Sequence, residues 1–206
     1  MKVKICGITN LEDALSAVIL GASALGFIFY RRSPRYISPR RARNIIRLIP
    51  REIIKVGVFV NAKEKRIRQI ARMVKLDMLQ FHGDETPDFC RRFKGYKIIK
   101  AFRVKDKLEL KEILRYKTFG YLFDTFSKKN FGGTGKRFNW KLLKNIGKLK
   151  QKIFLSGGLN ARNVRYVVRY LHPDWVDVSS SLERSPGKKD PKKIKAFIQV
   201  AKKLDR

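Results

Sequence analysis

The feature that most limits what this chain can become is the order of its segments. Short apolar runs alternate with longer amphipathic stretches from one end to the other. The apolar spacing predicts strands at about 2–6 (KVKIC), 24–29, 54–60, 77–81, 97–102, 120–124, 152–155 and 175–178. Helices are expected between them at about 11–21, 39–48, 63–75, 86–94, 107–116, 139–147, 160–171 and 190–203. Start signals support these helices. Asn10, Ser38-Pro39, Thr86-Pro87, Asn160 and Asp190-Pro191 are capping residues, three of them followed by a first-turn proline. Each helix carries the chain back so that the next strand lies parallel to the last. Eight such units in 206 residues, with no Gly/Ser/Pro linker, predict a single (β/α)8 TIM barrel domain spanning residues 1–206. The alternative, a doubly wound open sheet, calls for a glycine-rich first turn. Here that turn reads Cys6-Gly7-Ile8-Thr9, without GxGxxG.

Barrel chemistry sits at the C-terminal strand ends. The polar residues there are Cys6, Arg35, His82, Arg103, Asp124, Ser156-Gly157-Gly158, Asp177 and Ser179-Ser180-Ser181. Strand alternation turns Val3, Ile5, Tyr121, Phe123, Val176 and Val178 toward the helices. It leaves Lys4, Cys6, Asp124 and Asp177 facing inward, so a thiol and two carboxylates converge on one mouth. A positioned acid and base need opposite protonation states at one pH. Lys4, two residues from Cys6 on the same face, is expected to help hold the thiolate, unless Asp177 pairs with it instead. For His82, hydrogen bonding to neighbouring backbone is an equally simple role. Cys90, in an expected helix, and His172, just beyond one, read as structural.

Two segments have the character of phosphate sites. Ser156–Asn160 follows the seventh strand and Ser179–Ser181 the eighth, and small residues there let backbone N–H groups approach an anion. Gly132-Gly133-Thr134-Gly135-Lys136 lacks the spacing of a P-loop, so nucleoside triphosphate binding is rejected; it reads better as a mobile flap.

Taken together, the segments resemble the phosphoribosylanthranilate isomerase family. The pieces are KICGIT (4–9), GFIFYRRSPRYIS (26–38), VGVFVN (56–61), LQFHGDE (79–85), LFDTFSKKNFGGTGKRFNW (122–140), FLSGGLNARNV (154–164) and VDVSSSLERSPGKKD (176–190). They stand in the family's order over nearly the whole chain. The resemblance implies an aldose–ketose isomerase of tryptophan biosynthesis. Its reaction is the Amadori rearrangement of N-(5-phosphoribosyl)anthranilate to 1-(2-carboxyphenylamino)-1-deoxyribulose 5-phosphate, with no cofactor or metal. It also implies Cys6 as general base and Asp124 as general acid. Arg35 would meet the anthranilate carboxylate, His82 would be a substrate contact, Asp177 would lie near the ribose hydroxyls, and Gly157, Gly158, Ser180 and Ser181 would hold the phosphate. One departure stands out. The family usually reads DVSSG, and this chain has Ser181 in place of the glycine, so its hydroxyl is a candidate phosphate donor. Monomer and homodimer are both compatible with the resemblance.

Charge points elsewhere. Lys and Arg number 49 against 17 Asp and Glu, a net charge of +32, which by itself favours a polyanionic partner. No strand has the basic–aromatic pattern of an RNA-recognition motif, and neither a zinc-finger nor a helix-turn-helix signature is present. Specific nucleic-acid binding is therefore not expected as the main function, and most of the charge reads as solvated helix surface. Two histidines are too few for a metal-dependent epimerase barrel, and two cysteines for a disulfide framework. The absence of a long apolar segment and of a signal-peptide pattern predicts a cytoplasmic protein without a membrane span.

Overall fold

The structure is a computed structural model that describes residues 1–106, 108–125, 139–144 and 146–203. Eight parallel strands close into a barrel: β1 (Lys2–Cys6), β2 (Ala24–Ile28), β3 (Ile54–Phe59), β4 (Met78–Phe81), β5 (Lys97–Val104), β6 (Gly120–Thr125), β7 (Lys152–Leu155) and β8 (Trp175–Val178). Closure brings β8 against β1, pairing Lys4 with Asp177 and Ile5 with Val178 in register. Each strand lies within one or two residues of the expected bounds. The open-sheet alternative is excluded.

Strand alternation sorts two apolar layers. Ala24, Val56, Met78, Ile99, Ala101, Leu122, Phe154 and Trp175 fill the barrel interior, where the Phe154 and Trp175 rings stack at 5.1 Å. Val3, Ile5, Tyr121, Phe123, Val176 and Val178 face outward into the larger core beneath the helices. Burying each such side chain contributes roughly 1.5–3 kcal/mol.

The surrounding helices are α1 (Leu11–Ile19), α2 (Pro39–Ile46), α3 (Glu64–Val74), α4 (Pro87–Arg91), α5 (Leu110–Leu114), α6 (Val164–Leu171) and α7 (Pro191–Lys202). Four expected caps form: Asn10, Ser38, Thr86 and Asp190 each accept a first-turn backbone N–H. Asn160 does not start its helix directly. Its side chain accepts from Arg162 N–H, and α6 begins only at Val164. The helix expected over 139–147 is instead a pair of short 3-10 turns, Trp140–Leu143 and Ile146–Lys148. Gly147 there disfavours a continuous α-helix. His172 ends α6 in the left-handed conformation, and Cys90 is buried on α4.

One element is new relative to the sequence expectation. A hairpin, β9 (Glu183–Ser185) and β10 (Lys188–Lys189), follows a 3-10 turn at Ser180–Leu182. Its strands are too short to carry a periodic signal. Thr9 donates to Gly187 C=O, and Asp13 Oδ2 accepts Lys189 N–H at 2.8 Å, tying the hairpin to the loop after β1 and to the first turn of α1. The glycine-rich segment 132–136 lies outside the described residues. No helix among the described residues is long and apolar enough to cross a membrane.

Candidate active site

At the C-terminal mouth a cavity of about 510 Å³ is lined by Cys6, Arg35, Gln80, His82, Asp124, Ser156, Asp177 and Ser179, with Ile28, Val58 and Val60 among its apolar walls. A second, of about 310 Å³, adjoins it over the β7 and β8 loops and adds Gly157, Gly158, Ser180 and Ser181. The nine residues to which the resemblance gives a role in the site therefore line these two adjoining pockets.

Cys6 ends β1 with its side chain inward. Its neighbour across the sheet is Gly26, where a Cβ would sit 2.7 Å from the Cys6 Sγ. Glycine on β2 is thus what makes room for the thiol. Below it, Lys4 is fully buried and donates to Asp177 Oδ1 at 2.7 Å. Burial works against the Lys4 ammonium, but Asp177 and Cys6 outweigh it and push its pKa up. Burial pushes the Cys6 thiol up, and Lys4 pulls it only partly back. Of the two partners the sequence offered Lys4, Asp177 takes its hydrogen bond, and Lys4 still draws the Cys6 thiol down without offsetting burial. The ammonium is shared with Asp177, and desolvation of the thiol wins.

Asp124 ends β6. One oxygen accepts Thr125 N–H at 2.7 Å, and the other lies 3.2 Å from His82 Nε2, off line for a hydrogen bond. His82 Nδ1 is 2.9 Å from Gln80 Nε2. The amide donates in this orientation, which makes the ring nitrogen the acceptor and puts the imidazole proton on Nε2, facing the carboxylate. His82 therefore touches side chains rather than the backbone expected of it. Gln80, absent from the sequence expectations, holds the ring in place.

Arg35 makes a two-pronged contact with Glu183: Nε to Oε1 at 2.8 Å and Nη2 to Oε2 at 2.7 Å. Lys189, also buried, donates to the same carboxylate at 2.9 Å. The pair holds the Glu183 carboxyl below its usual range in spite of burial, which by itself would raise it. Lys189 is pushed down, burial being the largest cause. Arg35 thus stands at the cavity wall with Nε and Nη2 fixed from behind by Glu183 and with no hydrogen bond from Nη1 to any of the described residues. Glu183 escapes sequence reasoning, because its only signal there is a place in an exposed-looking turn.

The β7 loop turns through Gly157 and Gly158, both at positive φ (85° and 67°). That conformation strains any residue with a Cβ. Both glycines line the second cavity, where small residues let backbone N–H groups come close to an anion. Asn163 braces the loop, donating to Gly158 C=O at 2.9 Å and accepting Asn160 N–H. The facing N–H groups at Ser180 and Ser181 open the 3-10 turn and have no intrahelical partner. Ser181 needs no left-handed backbone, and its hydroxyl donates to Leu159 C=O. It thereby joins the two loops. Arg103 stands apart, paired with Asp84 at 2.7 Å.

Comparison with known proteins agrees with this geometry. The family model described as N-(5'phosphoribosyl)anthranilate (PRA) isomerase matches residues 3–200. The N-(5'-phosphoribosyl)anthranilate isomerase of Trichlorobacter lovleyi is 46 % identical over 202 residues, 98 % of each chain. The crystal structure of phosphoribosyl anthranilate isomerase from Thermotoga maritima has a TM-score of 0.92 at 43 % identity, covering 99 % of this chain and 100 % of that one. A phosphoribosyl anthranilate isomerase in complex with reduced 1-(o-carboxyphenylamino)-1-deoxyribulose 5-phosphate gives 0.90 at 43 % identity, with the same coverage. By family model, sequence and fold alike, the chain belongs to the N-(5'-phosphoribosyl)anthranilate isomerase family of tryptophan-biosynthesis isomerases.

Proposed function

We propose that this mouth carries out the Amadori rearrangement of N-(5-phosphoribosyl)anthranilate, with Asp124 as general acid and Cys6 as general base. The observation that carries the reading is the convergence of Cys6, Asp124 and Asp177 on one cavity that runs into the Gly157-Gly158 and Ser180-Ser181 loops. Asp124 protonates the ribose ring oxygen and the C1–O bond breaks. The anthranilate nitrogen lone pair forms the Schiff base. The Cys6 thiolate then takes the C2 proton, and the electron pair moves back through C1 to nitrogen. The resulting enolamine tautomerises to the 2-ketone. Protons and electrons balance within the substrate and the two side chains, so the residues at hand suffice for the reaction.

The backbone N–H groups of Gly157, Gly158, Ser180 and Ser181 hold the phosphate, Arg35 Nη1 meets the anthranilate carboxylate, and Asp177 accepts from a ribose hydroxyl. His82 contacts the substrate beside the acid. Because burial raises the Cys6 pKa, the thiolate is a minor form at neutral pH and a strong base when present. The reading extends to one domain over residues 1–206, acting in the cytoplasm as a monomer or homodimer.

The test follows loss of substrate fluorescence with purified protein. Cys6→Ala and Asp124→Asn each lower turnover by about 10²–10⁴ or more. Near-parental turnover in either variant removes that residue from its role, and an inactive parent protein overturns the reading.

A further inference from the structure

Of the seven tyrosines, only Tyr166 and Tyr170 are exposed, at 59 % and 38 %. They lie one turn apart on α6, with their rings nearly parallel (6°) and their centroids 5.9 Å apart. The same outward face presents Arg165 and Arg169, while Val164, Val167, Val168 and Leu171 are buried on the inner face. α7 packs beside α6 and exposes Lys192 and Lys195. Neither segment 160–172 nor segment 191–203 contains a carboxylate, against eight Lys and Arg. Two described acids that flank these segments have other partners: Asp174 holds Lys152, and Asp190 caps α7.

Cations alone would describe a solvated surface. Two flat aromatic faces set among arginines do more. Nucleobases stack on such rings whatever their sequence, while Arg and Lys track the phosphates, the combination that single-stranded nucleic acid requires. The other basic face makes the contrast. On α2, Arg40, Arg41 and Arg43 are exposed without an exposed aromatic ring among them. Base-paired duplexes keep their bases stacked inside, so the tyrosines have nothing to offer a duplex. We propose that the outward face of α6 and α7 binds single-stranded nucleic acid without sequence preference, Tyr166 and Tyr170 stacking bases and Arg165, Arg169, Lys192 and Lys195 contacting phosphates. The site is separate from the barrel mouth.

The experiment uses the full chain and a fluorescein-labelled 20-nucleotide oligouridylate, with a 20-base-pair duplex as comparison, followed by anisotropy across salt. About four phosphates neutralised on a single strand give a salt slope near −2.8, or roughly 50-fold weaker binding at 200 mM than at 50 mM. Tyr166→Ala/Tyr170→Ala weakens single-strand binding by about tenfold or more with the slope kept. Arg165→Glu/Arg169→Glu weakens it and flattens the slope by about 1.4 or more, while Arg40→Glu/Arg43→Glu on α2 changes affinity little. Retained isomerase turnover shows that each variant is folded. No single-strand binding at 50 mM salt overturns the proposal. So does undiminished binding by the tyrosine variant, or an equal loss from the α2 variant, since either leaves only diffuse charge attraction.

Discussion

Two of the buried lysine–carboxylate pairs in this barrel lie on opposite sides of the same sheet. Lys4 and Asp177 meet inside the barrel, 2.7 Å apart, beneath the thiol of Cys6. Lys100 and Glu85 meet between the sheet and the helices, 3.2 Å apart. The second pair is fully occupied. Lys100 also lies within hydrogen-bond distance of the carbonyls of Gly83, Ala101 and Phe81, and Glu85 accepts the N–H groups of Asn61 and Gly83. It holds the β4 loop closed and needs nothing more. The first pair makes one hydrogen bond within itself and turns its remaining capacity to Cys6 and the cavity. Saturated buried charge fastens a loop, whereas unsaturated buried charge tunes a neighbour.

Breaking each pair from the lysine side sharpens that contrast most. Lys4→Met and Lys100→Met each leave a buried carboxylate unpaired, costing about 3–5 kcal/mol in urea unfolding. Their turnover differs. With Lys4 gone the Cys6 pKa rises further, and each unit removes about nine-tenths of the remaining thiolate. Turnover of Lys4→Met therefore falls at least about tenfold at neutral pH and recovers as pH is raised. Lys100→Met keeps the parent's turnover per folded molecule. Equal losses of turnover, or a pH profile unchanged by Lys4→Met, would break the comparison.

Removing both partners tests saturation itself. Lys4→Met/Asp177→Leu regains most of the lost stability, because a buried ion pair is often replaceable by apolar side chains, yet stays poorly active. Lys100→Met/Glu85→Leu does not regain it, since the Asn61 and Gly83 N–H groups lose their acceptor. Similar recovery in the two double variants would contradict the distinction. A smaller effect comes from above the Lys4 pair. Gly26→Ala drives a Cβ against the Cys6 Sγ, costing about 1–3 kcal/mol by overpacking and slowing thiol labelling, both measurable on one preparation.

The smallest expected effect concerns the third buried cluster, Arg35–Glu183–Lys189. The Glu183 pKa in the folded protein lies below its ordinary value of 4.5. Its contribution to stability is therefore present above that value and is lost as pH falls through the depressed folded pKa. Glu183→Gln flattens the acid limb of the stability–pH curve while lowering stability at neutral pH. An acid limb as steep as the parent's would remove Glu183 from that role.

Much of this is legible in the sequence because it rests on local rules. A period of two along each strand is enough to turn Cys6, Asp124 and Asp177 inward. Caps such as Ser38 and Asp190 stand where the chain alone places them, four residues or fewer from the groups they satisfy. The small residues after β7 and β8 mark an anion site for the same reason: what a glycine permits is a property of its own backbone.

What the chain does not disclose depends on closure. Lys4 and Asp177 are 173 residues apart, and Arg35 and Glu183 148 apart; the sequence offers the first pairing only as an alternative and gives no sign of the second. Nor does the sequence determine the direction in which Cys6 shifts. That direction is a contest between burial and the Lys4 ammonium, decided only when the barrel sets the depth of the thiol and gives the lysine a second partner. The sequence by itself determined the order of elements and which way their side chains point. The tertiary structure decided which charges share one desolvated space, because desolvation and Coulomb terms depend on distance in space and on the solvent removed between groups.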